Sequence, residues 1–133
     1  MPPLRMVQDS GIPWGLGSDA TAVTPSNPFY TLGWAVTGSM VGGFRVNRQT
    51  ISREEALIAH TRHNAGFMFR EADLGSLQPG KYADLLVLDR DYLTVPADSI
   101  KDIKPLLTMV GGKIVYAAAD KLPRLERSTR RGE

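Results

Sequence analysis

Ile12-Pro13-Trp14-Gly15-Leu16-Gly17-Ser18-Asp19-Ala20 is the stretch on which the reading of this chain turns. The apolar run 12–16 predicts a short buried strand, and the glycine-rich bend after it delivers Asp19 to the strand's C-terminal edge. Parallel α/β enzymes keep their chemistry at that edge, where several loops converge on one mouth. This makes the class α/β and Asp19 a candidate general base or metal ligand. A buried aspartate preceded by two glycines that let other groups approach suits a site admitting a metal or substrate. A capping or turn role for Ser18 and Asp19 stands beside it, since both side chains bond their own backbone readily in loops. The local residues leave the two open.

Working outward, residues 4–9 predict the end of a helix, with Ser10-Gly11 as its stop. Pro25 and Pro28 exclude a regular helix directly after Asp19, so a loop follows. Asn27 can then cap a helix whose first residue is Pro28, where the missing N–H costs nothing. Phe29, Leu32, Trp34 and Val36 make that helix, over 29–37, short and apolar, with both Trp14 and Trp34 read as core. Gly38, Gly42 and Gly43 mark a loop ending near Gln49. Ser52-Arg53-Glu54-Glu55 is a capping box, in which Ser52 and Glu55 satisfy each other's exposed N–H groups. The helix it opens is expected to run to about Phe69 and to bury a stripe of Leu57, Thr61, Asn64, Ala65 and Met68.

The pattern changes after Asp73. Pro79-Gly80 fits the centre of a type II turn. Ala83 to Asp89 predicts a strand buried on both faces, and Leu107–Val110, Gly111-Gly112 and Lys113–Tyr116 predict a hairpin whose two-residue turn demands positive φ. The chain thus divides into a helix-rich 1–72, a strand-rich 73–118 and a tail 119–133. The tail holds Lys121, Arg124, Arg127, Arg130 and Arg131 against Glu126 and Glu133, enough to make an otherwise slightly acidic chain +2. No aromatics interleave these charges, so the tail reads as a solvated, flexible terminus rather than a nucleic-acid arm.

Length and composition are those of one ordinary globular domain: 133 residues, 42% hydrophobic and 23% charged. There is no cysteine, so any metal must be held by His, Asp or Glu. No apolar run reaches membrane-spanning length and no secretory h-region follows Met1, which makes a cytoplasmic location the expectation, with neither membrane nor nucleic acid as partner.

Other constellations carry less. Gly15-x-Gly17-x-x-Ala20 fits a dinucleotide fingerprint only formally: a proline loop stands where the helix should begin, and the next acid after Asp19 is Glu54. His60 and His63 are the only histidines, three apart on one helix, with Arg62 between them and no third acidic ligand on their face. They read as helix-surface residues. Asp84, Asp89 and Asp91 lack EF-hand spacing and read as turn and strand-end residues.

Three segments together resemble a known family: Gly17-Ser18-Asp19-Ala20, Ile51-Ser52-Arg53-Glu54-Glu55-Ala56-Leu57, and Leu74-Gly75-Ser76-Leu77-Gln78-Pro79-Gly80-Lys81-Tyr82-Ala83-Asp84-Leu85-Leu86-Val87-Leu88-Asp89. Thr94-Val95-Pro96, Ile100-Lys101-Asp102-Ile103 and Thr108–Tyr116 continue the likeness, which covers about residues 4–117. The resemblance is to the C-terminal third of metal-dependent amidohydrolases of the amidohydrolase 3 family, which includes N-substituted formamide deformylases. It implies a (β/α)8 barrel joined to a small β-sandwich. Residues 12–18 would match the eighth barrel strand, 29–37 and 53–69 the helices after it, and 74–117 the C-terminal strands of the sandwich.

By the same resemblance Asp19 matches the aspartate at the end of strand eight, which contacts the catalytic metal and takes a proton from its bound water. A divalent ion, zinc being the expected one, lowers the pKa of that water, and a neighbouring carboxylate passes the proton to the leaving nitrogen. The His-x-His pair, the bridging carboxylate or modified lysine, and the two further histidines of the family have no counterpart here, and His60 and His63 do not replace them. A barrel takes roughly 250 residues. The expectation is therefore a C-terminal fragment of a hydrolase of non-peptide C–N bonds, with an amide as the complete enzyme's substrate. Alone it is expected to bind no metal and show little activity, to expose an apolar surface, and to self-associate or pair with a missing N-terminal chain. The alternative is a non-catalytic interaction module or a subunit completed by a partner chain.

Overall fold

The computed structural model describes residues 2–20, 25–40 and 42–118. Four helices come first: α1 (Leu4–Asp9), α2 (Pro28–Thr37), α3 (Arg53–His60) and α4 (Arg62–Phe67). Strand β1 (Leu85–Leu88), a 3-10 helix (Ala97–Asp102), β2 (Pro105–Val110) and β3 (Lys113–Ala117) follow. The change from helix to strand near residue 72 is as the sequence predicts. The predicted tail 119–133 and the loop residues 21–24 lie outside the described residues.

Helix α2 starts where its cap dictates. The Asn27 side chain accepts from the Phe29 amide at 2.9 Å, and Pro28 occupies the first turn. Phe29, Leu32 and Ala35 turn into the core, where they meet Ile100 and Ile103, the two largest fully buried side chains. Both isoleucines belong to the 3-10 helix and its end, which packs along α2. Leu4, Leu16, Ile51, Ala56, Ala59 and Tyr92 complete this core.

The capping box of α3 forms as read: Ser52 Oγ accepts from the Glu55 amide at 3.1 Å, and Glu55 Oε2 accepts from the Ser52 amide at 2.7 Å. The Arg5 guanidinium adds a fork on the same carboxylate, at 3.0 and 2.6 Å, tying α1 to α3. The Arg5 hydrogen bond first, and the Ser52 amide second, hold the Glu55 carboxyl below its ordinary 4.5. A second latch joins α3 to the strand-rich half. Arg53 Nη1 donates to the Tyr92 carbonyl at 2.6 Å, and the Tyr92 hydroxyl donates back to the Arg53 carbonyl at 3.0 Å. Burial pushes the Tyr92 phenol up to about 12.

The single helix expected over 53–69 is interrupted at Thr61, whose φ −121° and ψ −78° are not helical. The Thr61 hydroxyl donates to the Leu57 carbonyl at 2.7 Å, so a side chain competes with the backbone where the break occurs. The buried stripe is also rotated from the expected one. Ala56, Ala59 and Ala65 face inward, while Leu57 and Met68 are exposed. Small alanines let α3 lie close to the bend at Leu16, and that close packing outweighs the larger side chains' hydrophobicity.

Two strand readings need correction. Residues 12–16 form no strand: Leu16 N donates to the Ala59 carbonyl at 3.1 Å, a helix contact, and Ile12 is 65% exposed. A strand exists only through a neighbour's ladder, and no strand lies beside this segment among the described residues. The second is β1, which is shorter than 83–89 and not buried on both faces, since Leu86 and Val87 are exposed.

The sheet is antiparallel in the order β1-β2-β3, with Val87 opposite Leu107 and Thr108 opposite Tyr116. Its hairpin turn has Gly111 at φ 56° and Gly112 at φ 79°, which β-carbon-bearing residues adopt only with strain. Asp84, expected at a strand end, accepts from the Gly111 amide at 2.6 Å and pins this turn. Gln78 and Lys81 close the Pro79-Gly80 turn with a 3.1 Å backbone hydrogen bond.

Candidate active site

The bend carrying Asp19 is held from beneath. Asn64 Nδ2 donates to the Leu16 carbonyl at 2.9 Å, and a Cβ built at Gly15 would overlap Asn64 Oδ1. Gly15 thus permits the close approach expected of it. Gly17 faces open space and does not.

Beyond the anchor, Asp19 stands at φ 48°, an unusual conformation for a residue with a Cβ, though aspartate tolerates it better than most. It is exposed rather than buried, and no hydrogen bond or ion pair of its carboxylate occurs among the described residues. A left-handed residue at a loop end costs about 1–2 kcal/mol, and such conformations concentrate at functional sites. The Leu16 and Asn64 bonds below are what supports it.

Asp19 lines a cleft of about 670 Å³ between this bend, α2 and the 3-10 helix. Helix α2 contributes Tyr30, Gly33, Trp34 and Thr37, its face at i, i+3, i+4 and i+7, turned away from Phe29 and Leu32. The 3-10 helix contributes Asp98 and Lys101. Lys101 is half-buried and has no ion pair among the described residues, although Asp98 and Asp102 are near in sequence. Sequence reading assigned Trp34 to the core alone; it packs on the core and also walls the cleft. It missed Lys101 and the 3-10 helix, whose six residues carry no helical hydrophobic period. The second face of α2 was the one available signal.

The histidines are half-buried rather than fully exposed on their helices. His60 Nε2 and His63 Nδ1 are sealed from solvent without hydrogen-bond partners among the described residues, and the His63 ring stands edge-on to Trp14 with centroids 6.3 Å apart. The close fit of α3 and α4 against residues 14–16 draws them inward. They do not join Asp19: among the described residues no three side chains of His, Cys, Asp or Glu converge to hold a metal ion. The described residues therefore do not by themselves fit a metal centre. Asp89, just past the end of β1, accepts from the Lys104 amide at 3.0 Å, and Asp91 serves as a turn residue, accepting from the Leu93 amide at 2.8 Å. No helix among the described residues is long and apolar enough to cross a membrane.

A sequence model of the amidohydrolase family matches residues 1–116. The chain is also similar to an N-substituted formamide deformylase of Arthrobacter pascens, 31% identical over 115 residues. That alignment covers 86% of this chain but 21% of the relative, so the chain spans about a fifth of the length of the curated relative it matches.

Proposed function

Since this chain belongs to the amidohydrolase family, we propose that it forms part of a hydrolase of non-peptide C–N bonds, of the amide or formamide type, and supplies Asp19 to its site. The observation that carries this is the placement of Asp19: an exposed carboxylate in a left-handed conformation at the rim of a cleft, on a bend pinned from below. The curated relative's name supports the same bond class.

Asp19 acts as the base, taking a proton from the attacking water and returning it to the leaving nitrogen. Members of the family are generally metal-dependent, and a divalent ion, when bound, lowers the pKa of a coordinated water. Asp19 would be one ligand to that ion, with zinc the expected metal. Because the family's other metal ligands have no counterpart in this sequence, the polypeptide of residues 1–133 by itself is expected to bind no such ion and to hydrolyse little. An amide is the substrate of the complete enzyme.

In architecture, we place residues 12–18, which form no strand among the described residues, at the position of the eighth strand of a (β/α)8 barrel whose neighbouring strands would supply the ladder, and β1 to β3 in a β-sandwich. The exposure of Ile12, and of Leu86, Val87, Val115 and Tyr116 on the small sheet, supports further polypeptide covering these faces. The same exposure favours a second reading for residues 1–133 alone, an interaction module or subunit that self-associates or is completed by another chain.

The test is hydrolysis of a formamide and an anilide by the enzyme that contains this segment. Asp19→Asn should lower kcat by at least about a hundredfold, the scale of a lost general base, with the fold intact by circular dichroism. Unchanged turnover in Asp19→Asn sinks the assignment. For the second reading, sedimentation of residues 1–133 should show oligomers; a monodisperse monomer overturns it.

A further inference from the structure

The cleft beside Asp19 is built asymmetrically, and its asymmetry specifies a ligand. One wall is the aromatic face of α2, with Tyr30 and Trp34 half-buried, and Met40 lies in the same lining. The opposing wall is the 3-10 helix, which carries the half-buried Lys101. Its backbone nitrogen lies 3.5 Å from where a Gly33 Cβ would stand, so the two walls meet closely at that point.

Lys101 lines this cleft, and no ion pair forms with it among the described residues. The two acids of the lining, Asp19 and Asp98, are both exposed. We propose that the cleft binds the apolar substituent of an amide substrate, and that Lys101 pairs with a carboxylate at the far end of that substituent. The substrate class is thus an acidic amide: a scissile C–N bond at Asp19, an aryl or alkyl body against Tyr30 and Trp34, and an anion on Lys101. A carboxylate carries a single charge, which one ammonium balances. The inference rests on Asp19 marking the reacting end of the cleft.

Binding can be read without turnover. The chain has two tryptophans, so Trp14→Phe leaves Trp34 as the only indole, and its fluorescence reports the cleft. The full 133-residue chain is titrated at low salt with 4-phenylbutyrate and with the uncharged 4-phenylbutyramide. Phenylbutyrate should bind about fivefold tighter, the scale of a partly exposed ion pair, and lose that advantage at about 0.5 M salt. Lys101→Met should erase the preference and Lys101→Arg should keep it. Equal affinity for the two probes, a preference that survives Lys101→Met, or no saturable change overturns the proposal. Should Trp14→Phe unfold the chain, the two indole N–H resonances of the unaltered protein read the same titration. Failure here leaves the role of Asp19 untouched; conversely, full activity of Asp19→Asn in the complete enzyme removes that role without altering the titration.

Discussion

Asn64 grips the Leu16 carbonyl through its Nδ2 at 2.9 Å while its Oδ1 fills the space a side chain at Gly15 would need. One residue of α4 thereby supports the whole bend that presents Asp19. Gly15→Ala should destabilise the fold by about 1–3 kcal/mol, as overpacking does. Asn64→Ala should cost a similar ~1–3 kcal/mol by orphaning the carbonyl. The double variant, measured by urea denaturation, should cost less than the two singles together, because both act on one contact.

The strain at Asp19 is separable from its chemistry. Its φ of 48° favours glycine, so Asp19→Gly should be more stable than Asp19→Ala by about 1 kcal/mol. Thermal melts of the two variants measure the difference, and equal stabilities would mean the bend relaxes once the carboxylate is gone.

Glu55 supplies an acid-dependent term. Its carboxyl is held below the ordinary 4.5, chiefly by Arg5 and then by the Ser52 amide. A lowered value stabilises the folded state above the unfolded-state pKa, and that contribution disappears as pH falls through the folded one. Stability should therefore decline as pH drops below about 4.5, and Glu55→Gln should flatten part of the decline. Denaturant midpoints between about pH 3 and about pH 6 would show this.

Tyr92 works in the opposite direction. Burial raises its phenol from 10.0 to about 12, so its contribution is complete below pH 10 and is lost as pH rises through about 12. Tyr92→Phe should remove that alkaline loss while costing about 1 kcal/mol at neutral pH for the missing bond to the Arg53 carbonyl. Ultraviolet titration of the phenol against the variant checks the first part, and urea denaturation the second.

Ile100 and Ile103 join the 3-10 helix to α2 with no exposed surface. Ile100→Ala should cost about 2–5 kcal/mol and Ile100→Val about 0.5–1.5. Because the 3-10 helix is also a wall of the cleft, the alanine variant should weaken phenylbutyrate binding even where the chain stays folded.

What could be read directly was whatever is decided within a few residues. The Asn27 and Ser52 caps, the Pro79-Gly80 turn and the Gly111-Gly112 hairpin all formed where they were expected, because each is a bond between near neighbours or a φ that few residues adopt. The likeness of Gly17–Ala20 and Leu74–Asp89 to the amidohydrolases lay equally on the surface of the chain, since it needs no geometry.

What only the tertiary structure decided is everything set by a distant partner. Whether 12–16 becomes a strand depends on a ladder from elsewhere, which face of α3 is buried depends on how closely Leu16 can lie on Ala59, and the inward turn of His60 and His63 follows from the same contact. The pairing of Tyr30 and Trp34 with Lys101 across one cleft joins residues about seventy positions apart, with no local signal at either end. Local hydrogen bonds and backbone preferences are written in consecutive residues; burial is a property of what comes to lie alongside, and the chain acquires it only on folding.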